Sequence, residues 1–351
     1  MKVGIIGFAS SGKSTLYRAA ALGMAKGDVT SVPVPDERFD RIVSQVKPKK
    51  ITPASVMLHD DLDPAQGTGK MFSQRFLDGA RKMDVLLHVV RAFDAPAAHY
   101  HATIDPPRDQ ESVDVELILA DLQMVENRLE RLAKSLTARN PGSPDYIEKT
   151  VFERLKSPLE EGKPIRALEL DEDAQTVARN YQFLSAKQMV VAFNVGESDA
   201  SQVPAPIQIR IDSLANIGTP AFTVCATLEE EVGQLDAADQ PEFLTSLGLT
   251  EPASAKVIRA VYDGLGLITF FTAGENETRA WPLRRGSSAL KAADSIHSDI
   301  ARGFIRAEIT HYDDYASHGS LEAAEKAGKM TLQGKDYVIQ DGDLLHIRNK
   351  S

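Results

Sequence analysis

Residues 7–15 read Gly-Phe-Ala-Ser-Ser-Gly-Lys-Ser-Thr, and this stretch decides the fold of the amino-terminal part of the chain. It fits the pattern G-x-x-x-x-G-K-[ST], follows the apolar run Val3–Ile6 and precedes a helix-like stretch that begins at Ser14. A strand, a glycine-rich turn and a helix in this order are the context in which the pattern forms a phosphate-binding P-loop. The glycines let the backbone curl around phosphate oxygens, and the start of the helix adds its positive dipole end. We therefore expect the chain to bind a nucleoside triphosphate.

The side chains of this loop have distinct predicted roles. Lys13 is expected to reach the β- and γ-phosphates, where its charge also assists hydrolysis, and Ser14 is expected to ligate Mg²⁺. Asp60 follows the strand-like run Ser55–His59 and is the second candidate Mg²⁺ ligand, with Asp61 beside it. The other predicted nucleotide contacts of the loop are Gly7, Ser10, Ser11, Gly12 and Thr15.

Composition and charge limit the class of protein. Of the 351 residues 42% are hydrophobic and 26% are charged, which excludes a disordered chain and suits about two globular domains. No apolar run approaches the roughly 20 residues of a membrane-spanning helix, and the single cysteine, Cys225, cannot form an intramolecular disulfide. We therefore expect a cytoplasmic protein without membrane attachment.

The net charge of −10 is unevenly placed along the chain. Residues 1–255 hold 27 basic and 37 acidic residues, whereas the remainder, from Lys256 onward, holds 13 of each. An acidic body argues against general coating of nucleic acid, while the balanced tail leaves room for a local basic face.

Short apolar runs alternate with helical patterns in the first part of the chain, which predicts a mainly parallel α/β sheet. Residues 114–183 interrupt this alternation with two helical stretches joined by the breaker-rich turn 137–144. The second helical stretch is Asp145–Leu159, and together they predict an antiparallel, coiled-coil-like hairpin. A single amphipathic helix lying on the domain is the alternative. The predicted strands are Val3–Ile6, Ser55–His59, Val85–Val90, Met189–Phe193 and Ala221–Val224, and the apolar seam of the hairpin is Ile118, Leu122, Val125, Leu129, Leu132 and Leu136.

The pattern changes after Leu249 and predicts a separate, small α+β domain. Helical stretches are expected at Val257–Leu265 and Ser288–His297, with strands at Ile268–Phe271 and Thr278–Trp281. The last two strand-like segments flank the Asp341-Gly342 step, which is a strong hairpin signal. These two segments are Tyr337–Ile339 and Leu344–Ile347.

The stretch Asn194-Val195-Gly196-Glu197 ends the fourth predicted strand, where switch GTPases carry N-K-x-D to read guanine. Here the lysine is absent and the acid is one methylene longer, which weakens recognition of guanine. Together with the P-loop and Thr223–Ala226, this stretch resembles the YchF family of Obg-like ATPases, and the resemblance runs from Met1 to about Arg348. Further matching segments are Thr269–Gly274, Arg279–Trp281, Gly303–Ala307, Ala327–Met330 and Gly334–Tyr337.

This resemblance implies a Ras-like P-loop NTPase domain at 1–113 and 184–255, with the helical hairpin inserted at 114–183. It also implies a C-terminal ubiquitin-like β-grasp domain, called TGS, at 266–351. Binding and hydrolysis of ATP in preference to GTP follow from it, with Mg²⁺ as the cofactor. So does association with the ribosome or ribosomal RNA through the hairpin and the TGS-like domain, by a protein that we expect to be a monomer.

The resemblance also implies roles for particular residues. A histidine from the loop 97–102 positions the attacking water, and His99 aligns with it, with His101 as the alternative. The residues implied to contact the nucleotide base are Asn194, Val195, Glu197, Cys225 and Ala226.

Two departures from the family pattern affect the switch regions. About a dozen residues of the first switch are missing, including the threonine that completes the Mg²⁺ shell, and Thr30 or Ser31 is the candidate replacement. In the second switch Asp63 replaces the glycine of D-x-x-G. The alternative function is therefore a switch-degenerate, nucleotide-binding regulatory module with little or no hydrolysis. A small-metabolite kinase is disfavoured, because no arginine cluster follows the P-loop at a suitable place.

Overall fold

The computed structural model describes residues 1–21, 25–62, 72–96, 98–235, 239–249 and 251–350. The chain divides into two compact units: an N-terminal unit of Met1–Val32 and Met57–Gly264, and a C-terminal unit of Pro33–Val56 and Leu265–Ser351. The strands are β1 Lys2–Ile6, β2 Val29–Pro33, β3 Lys50–Thr52, β4 Ser55–His59, β5 Val85–Ala92, β6 Gln188–Val195, β7 Ala221–Val224, β8 Leu267–Thr272, β9 Glu277–Arg284, β10 Phe304–Thr310, β11 Thr331–Gln333 and β12 Leu344–Asn349. The helices are α1 Lys13–Ala20, α2 Glu37–Val46, α3 Gln74–Arg81, α4 Pro106–Ala133, α5 Pro144–Glu160, α6 Glu172–Tyr181, α7 Ala205–Asn216, α8 Ala226–Val232, α9 Gln240–Ser246, α10 Ala253–Gly264, α11 Ala289–Ile296, α12 Ser298–Arg302, α13 Tyr312–His318 and α14 Leu321–Lys326.

The N-terminal unit is built on a six-stranded sheet in the order β2-β4-β1-β5-β6-β7. The pairs from β4 through β7 are all parallel. Strands β5 and β6 are buried along nearly their whole length, as expected of central strands with both faces covered. This sheet confirms the Ras-like α/β class, and all five strands predicted from the sequence are present.

Helices α4, α5 and α6 form the insertion and share an apolar core that includes Ile118, Val125, Phe152 and Leu155. The helical insertion is thus confirmed. However, α4 begins at Pro106, so the predicted boundary at 114 falls inside this helix. Leu136 is not part of the seam, because α4 ends at Ala133 and the Leu136 side chain is 77% exposed. No helix within the described ranges is both long and apolar enough to cross a membrane.

The C-terminal unit has its own six-stranded sheet, in the order β11-β10-β12-β8-β9-β3. Strands β8 and β9 form an antiparallel hairpin, and β12 lies parallel to β8 and antiparallel to β10. The core beneath this sheet includes Ile268, Phe270, Ala293 and Ile309.

Residues 33–56 belong to this C-terminal unit, whereas the sequence analysis counts them with the P-loop domain. They supply α2 and β3, and β3 extends the sheet by pairing in parallel with β9. The ring of Phe39 on α2 stacks on Phe271 of β8 at 6.1 Å between centroids. Because β3 is only three residues long and largely exposed, its sequence shows no strand pattern.

The predicted hairpin around Asp341-Gly342 is wrong. Residues 337–339 form no strand apart from one isolated bridge, and β12 pairs with β10 and β8 instead. The turn serves as an anchor for β8, because the Asp341 carboxylate accepts a hydrogen bond from the backbone N–H of Thr269 at 2.8 Å.

The imidazole of His88, on β5, is fully buried, and neither ring nitrogen has a hydrogen-bond partner in the described part of the chain. Burial lowers the pKa of His88 to about 4, and the negative charge of Asp114 opposes part of this decrease. The unfolded chain therefore takes up this proton at a higher pH than the folded chain does, and stability falls as the pH drops from about 6.5 toward about 4.

We expect His88→Leu to reduce this acid sensitivity. Between pH 6.5 and 4.5 the wild type should lose about 2 kcal/mol more free energy of unfolding than the variant, as measured by urea denaturation at both pH values. Equal losses in the two proteins would assign the acid sensitivity to other groups.

Candidate nucleotide-binding site

The loop between β1 and α1 has room only for glycine at two of its positions. Gly7 has φ +143° and Gly12, the N-cap of α1, has φ +90°. A Cβ atom at Gly7 would lie 2.3 Å from the carbonyl oxygen of Val89, and one at Gly12 would lie 2.1 Å from Nδ2 of Asn194. The glycine pattern is therefore required by close contacts as well as by backbone conformation.

Lys13 folds back across this loop. Its Nζ donates hydrogen bonds to the carbonyl oxygens of Phe8 at 2.7 Å and Gly7 at 3.2 Å. The ammonium group is thus held beside the loop and the start of α1, where a bound phosphate also gains the positive end of the helix dipole.

Asp60 is the acidic side chain that faces the P-loop. Burial raises the pKa of its carboxyl group, while hydrogen bonding from Ser14 and the charge of Lys13 oppose that rise. Asp61 is engaged elsewhere, with its Oδ1 3.2 Å from Nδ1 of His59. Ser14 and Asp60, the two predicted Mg²⁺ ligands, are therefore brought together by the fold.

Thr30 does not offer a free hydroxyl in place of the missing switch threonine. It is buried on β2, and its Oγ1 lies 2.7 Å from the hydroxyl oxygen of Tyr17. Because the Tyr17 hydroxyl donates to the carbonyl of Gly27 at 2.8 Å, the Thr30 hydroxyl is the donor to Tyr17. Ser31 is exposed on the same strand, and Asp63 lies outside the described residues.

The side chain of Asn194 joins three segments of the chain. Its Nδ2 donates to the carbonyl of Ser11 in the P-loop, and its Oδ1 accepts from the backbone N–H of Ala226, both at 3.0 Å. Asn194 is the penultimate residue of β6 and is only 4% exposed. The amide therefore fixes the P-loop against the start of α8.

The other predicted base-contacting residues surround this amide. Val195, Cys225 and Ala226 are buried, whereas Glu197 is exposed at the start of the short 3₁₀ helix Glu197–Asp199. Burial raises the pKa of the Cys225 thiol, and the negative charge of Glu197 adds to the effect. Glu197 is therefore close to Cys225, but its own side chain is exposed.

The two candidate histidines differ in their surroundings. His99 is exposed and makes no hydrogen bond or ion pair in the described part of the chain. The ring of His101 stacks on Phe8 of the P-loop at 3.9 Å between centroids and 17° between planes. Its Nε2 is 3.4 Å from the carboxylate of Asp109, a buried residue of α4. The structure thus places His101, rather than His99, against the P-loop.

Arg91 is a site residue that the sequence analysis missed. It is 2% exposed at the end of β5, and its guanidinium donates to the carbonyl oxygens of Ser10 at 3.4 Å and Ala95 at 3.1 Å. The same group lies 4.7 Å from the ring centroid of Phe93 and 4.8 Å from that of Tyr100. Arg91 therefore ties the P-loop to the loop that carries both histidines. The sequence shows only a charged residue directly after the strand-like run 85–90, and this does not indicate its partners.

The described residues contain no group of three or more His, Cys, Asp or Glu side chains that could hold a metal by themselves. A Mg²⁺ ion at Ser14 and Asp60 would therefore depend on phosphate oxygens for its other ligands, which is the usual arrangement for Mg²⁺ with nucleotides. The hydroxyl and carboxylate oxygens of these two residues are ligands of the hard type that this ion prefers.

A parallel sheet with this loop, this lysine and this acid defines a P-loop nucleotide-binding protein of the Ras-like class. Comparison with known proteins narrows the class. The chain is 36% identical to "Ribosome-binding ATPase YchF" of Bacillus subtilis, over 99% of both chains, and 37% identical to the protein of that name from Haemophilus influenzae, over 99% of this chain and 98% of the relative. It is 32% identical to "Obg-like ATPase 1" of Bos taurus, over 99% of this chain and 92% of the relative. The chain belongs to the YchF family.

Two further comparisons agree. A family model described as YchF-GTPase_C, a protein of unknown function (DUF933), matches residues 267–350. The solved structure of the YchF GTPase of Schizosaccharomyces pombe superposes with a TM-score of 0.87 and 30% identity, over 99% of this chain and 97% of that one.

Gly12→Ala should remove nucleotide binding. Its Cβ would meet the Asn194 amide, so the P-loop and the Asn194 side chain cannot both keep their positions, and we expect about 2 kcal/mol less stability. Calorimetric titration with ATP and urea denaturation measure the two effects.

Gly162→Ala is the matched control for this variant. Gly162 also has a positive φ, of +76°, but no atom lies within 4 Å of its added Cβ. This control should lose about 1 kcal/mol of stability and keep its affinity for nucleotide. Equal nucleotide affinity in Gly12→Ala and the wild type would show that the contact with Asn194 does not shape the site.

Proposed function

We propose that this protein binds ATP with Mg²⁺, hydrolyses it, and acts on the ribosome. The observation that carries the proposal is the meeting of Lys13, Ser14 and Asp60 at one loop whose shape is fixed by Asn194. The relatives whose names specify a ribosome-binding ATPase supply the partner. A ribosomal partner also supports a cytoplasmic location.

Adenine suits this site better than guanine. The amide of Asn194 is already used by the backbone of Ser11 and Ala226, and Val195 stands where the lysine of N-K-x-D would lie. Glu197 is exposed rather than fixed by neighbouring groups, so it lacks the rigid placement that recognition of guanine N1 and N2 needs. Main-chain groups near Val195 can instead pair with the adenine amino group, which donates where guanine O6 accepts.

A small number of side chains would carry out the chemistry of this site. Lys13 provides a fixed positive charge beside the β- and γ-phosphates, and Ser14 and Asp60 would hold Mg²⁺. When bound, Mg²⁺ would neutralise part of the negative charge of the phosphates. His101, stacked on Phe8 and held toward Asp109, is the histidine already positioned near the P-loop, whereas His99 reaches it only if its loop moves.

A second function, a nucleotide-held regulatory module with little hydrolysis, is favoured by one observation. The Thr30 hydroxyl is hydrogen bonded to Tyr17, so the described part of the first switch region has no hydroxyl free to complete the Mg²⁺ shell except that of exposed Ser31. Loss of one ligand or donor at the transition state slows phosphoryl transfer by about 10²–10³-fold.

Charge favours the C-terminal unit as the part that meets ribosomal RNA. That unit holds 16 basic and 15 acidic residues, whereas the inserted residues 114–183 hold 10 basic and 14 acidic ones. Since RNA repels an acidic surface, the insertion is the less suitable of the two contacts that the sequence suggests.

Titration with ATP and GTP, using the wild type and Lys13→Ala, tests nucleotide binding. We expect ATP to bind at least as tightly as GTP, and Lys13→Ala to bind ATP at least 100-fold more weakly, because it loses the charge at the phosphates. Lys134→Ala, which removes an exposed lysine that follows α4, is the control and should match the wild type. A clear preference for GTP, or unchanged affinity in Lys13→Ala, would contradict the proposal.

ATP turnover of the wild type, His99→Ala and His101→Ala, with and without ribosomes, tests hydrolysis. If His101 assists the attack from its present position, its removal should lower kcat by about 10²–10³-fold while ATP still binds. If His99 acts after a loop movement, the loss should appear in His99→Ala instead. Equally slow turnover in all three proteins, with tight ATP binding, would identify the regulatory module.

A further inference from the structure

The carboxylate of Asp109 connects the helical insertion to the loop that carries both histidines. Asp109 lies in the first turn of α4, the first helix of the insertion, and is 1% exposed. Its Oδ1 accepts hydrogen bonds from Nε and Nη2 of Arg108 at 2.9 and 2.7 Å, and its Oδ2 accepts one from the Tyr100 hydroxyl at 2.8 Å. The Nε2 atom of His101 lies 3.4 Å from the same Oδ1. One buried negative charge therefore contacts a residue of its own helix and two neighbouring residues of the histidine loop.

The rings of Tyr100 and His101 both lie against Phe8 of the P-loop. His101 stacks on Phe8, whereas Tyr100 meets it edge-on at 6.2 Å between centroids. The Tyr100 and His101 rings are themselves 4.4 Å apart. Burial and the hydrogen bond to Asp109 raise the pKa of the Tyr100 hydroxyl, so this group remains a donor to the carboxylate. Asp109 thus holds two adjacent rings that pack on the phosphate-binding loop.

Part of the His101 imidazole stays accessible to water. Its side chain is 37% exposed, whereas the Asp109 side chain is only 1% exposed. A carboxylate that holds one nitrogen of a histidine fixes the orientation of the ring and stabilises its protonated form. Held in this way, the exposed part of the ring can contact a water molecule beside the P-loop.

We infer that Asp109 is a positioning residue, which holds His101 against the P-loop in the orientation that ATP hydrolysis needs. The inference rests on the proposed function and extends it, because it makes the first turn of the insertion part of the nucleotide site.

Asp121 provides a matched control for Asp109. It lies on the same helix, and its carboxylate is fully buried. Its oxygens accept hydrogen bonds from the backbone N–H groups of Leu184 at 3.0 Å and Ser185 at 2.6 Å, and Arg81 lies 3.3 Å away. Loss of either aspartate removes a buried charge from α4, but only Asp109 contacts the histidine loop.

NMR spectra of the full-length protein with labelled histidines test the positioning without requiring hydrolysis. The rings of Phe8 and Tyr100 should shift the ring-proton signals of His101 upfield, and His101→Ala assigns these signals by removing them. We expect Asp109→Asn to move them toward the positions of an exposed histidine, because a neutral amide holds the imidazole less strongly than a carboxylate does.

Asp121→Asn should leave the His101 signals where they are in the wild type. Unchanged signals in Asp109→Asn, or an equal change in Asp121→Asn, would overturn the inference. Should Asp109→Asn fail to fold, the wild type still decides, since signals of an ordinary exposed histidine for His101 would show that the ring is not held.

ATP turnover distinguishes positioning from a purely structural role. We expect Asp109→Asn to lower kcat by about 10–100-fold while its affinity for ATP stays that of the wild type. In the His101→Ala background the same substitution should cause no further loss, because Asp109 acts through the imidazole. A further loss in that background, or a kcat of Asp109→Asn equal to that of the wild type, would overturn the inference. Absence of turnover in the wild type would refute the proposed hydrolysis instead, and the NMR comparison would still show whether Asp109 holds His101.

Discussion

The nucleotide site depends on two hydrogen bonds made by one buried amide. Asn194 holds the carbonyl of Ser11 and the backbone N–H of Ala226, each at 3.0 Å, and thereby joins three chain segments that are far apart in sequence. The amide fits there only because Gly12 has no Cβ. An amide so placed shapes the loop instead of reading the base, which explains how the chain can keep a complete P-loop while losing the rest of the guanine-reading motif.

The part of the site that could be predicted from the sequence is the part that local chemistry determines. The P-loop follows from the spacing of Gly7, Gly12 and Lys13, and Asp60 follows from its position after a strand. The roles of Arg91 and His101 could not be predicted, because they depend on contacts across the loop with Ser10, Phe8 and Asp109. Two histidines two residues apart in a polar loop have equivalent sequence surroundings, and only packing distinguishes them.

The same distinction holds for the fold. Strands β5 and β6 of the central sheet are mainly apolar runs buried on both faces, and this pattern is visible in the sequence. The segment 33–56 contains a three-residue edge strand and an amphipathic helix, and nothing local indicates which unit receives them. The Asp341-Gly342 step does not indicate strand pairing for a related reason: its residues form a turn, but the aspartate anchors β8 through Thr269 instead of joining two neighbouring strands.

Because residues 33–56 belong to the C-terminal unit, neither unit is encoded by one continuous piece of the gene. The chain passes from one unit to the other after residues 32, 56 and 264. Ending translation at residue 264 would leave Phe39 without Phe271, Arg38 without the carboxylate of Asp341 at 2.9 Å, and β3 without β9. Recombination that exchanges only the 3′ part of the gene would therefore separate a folding unit from one of its own strands. The two units must therefore be inherited together, because the C-terminal unit contains residues 33–56, which lie between two parts of the N-terminal unit in the sequence.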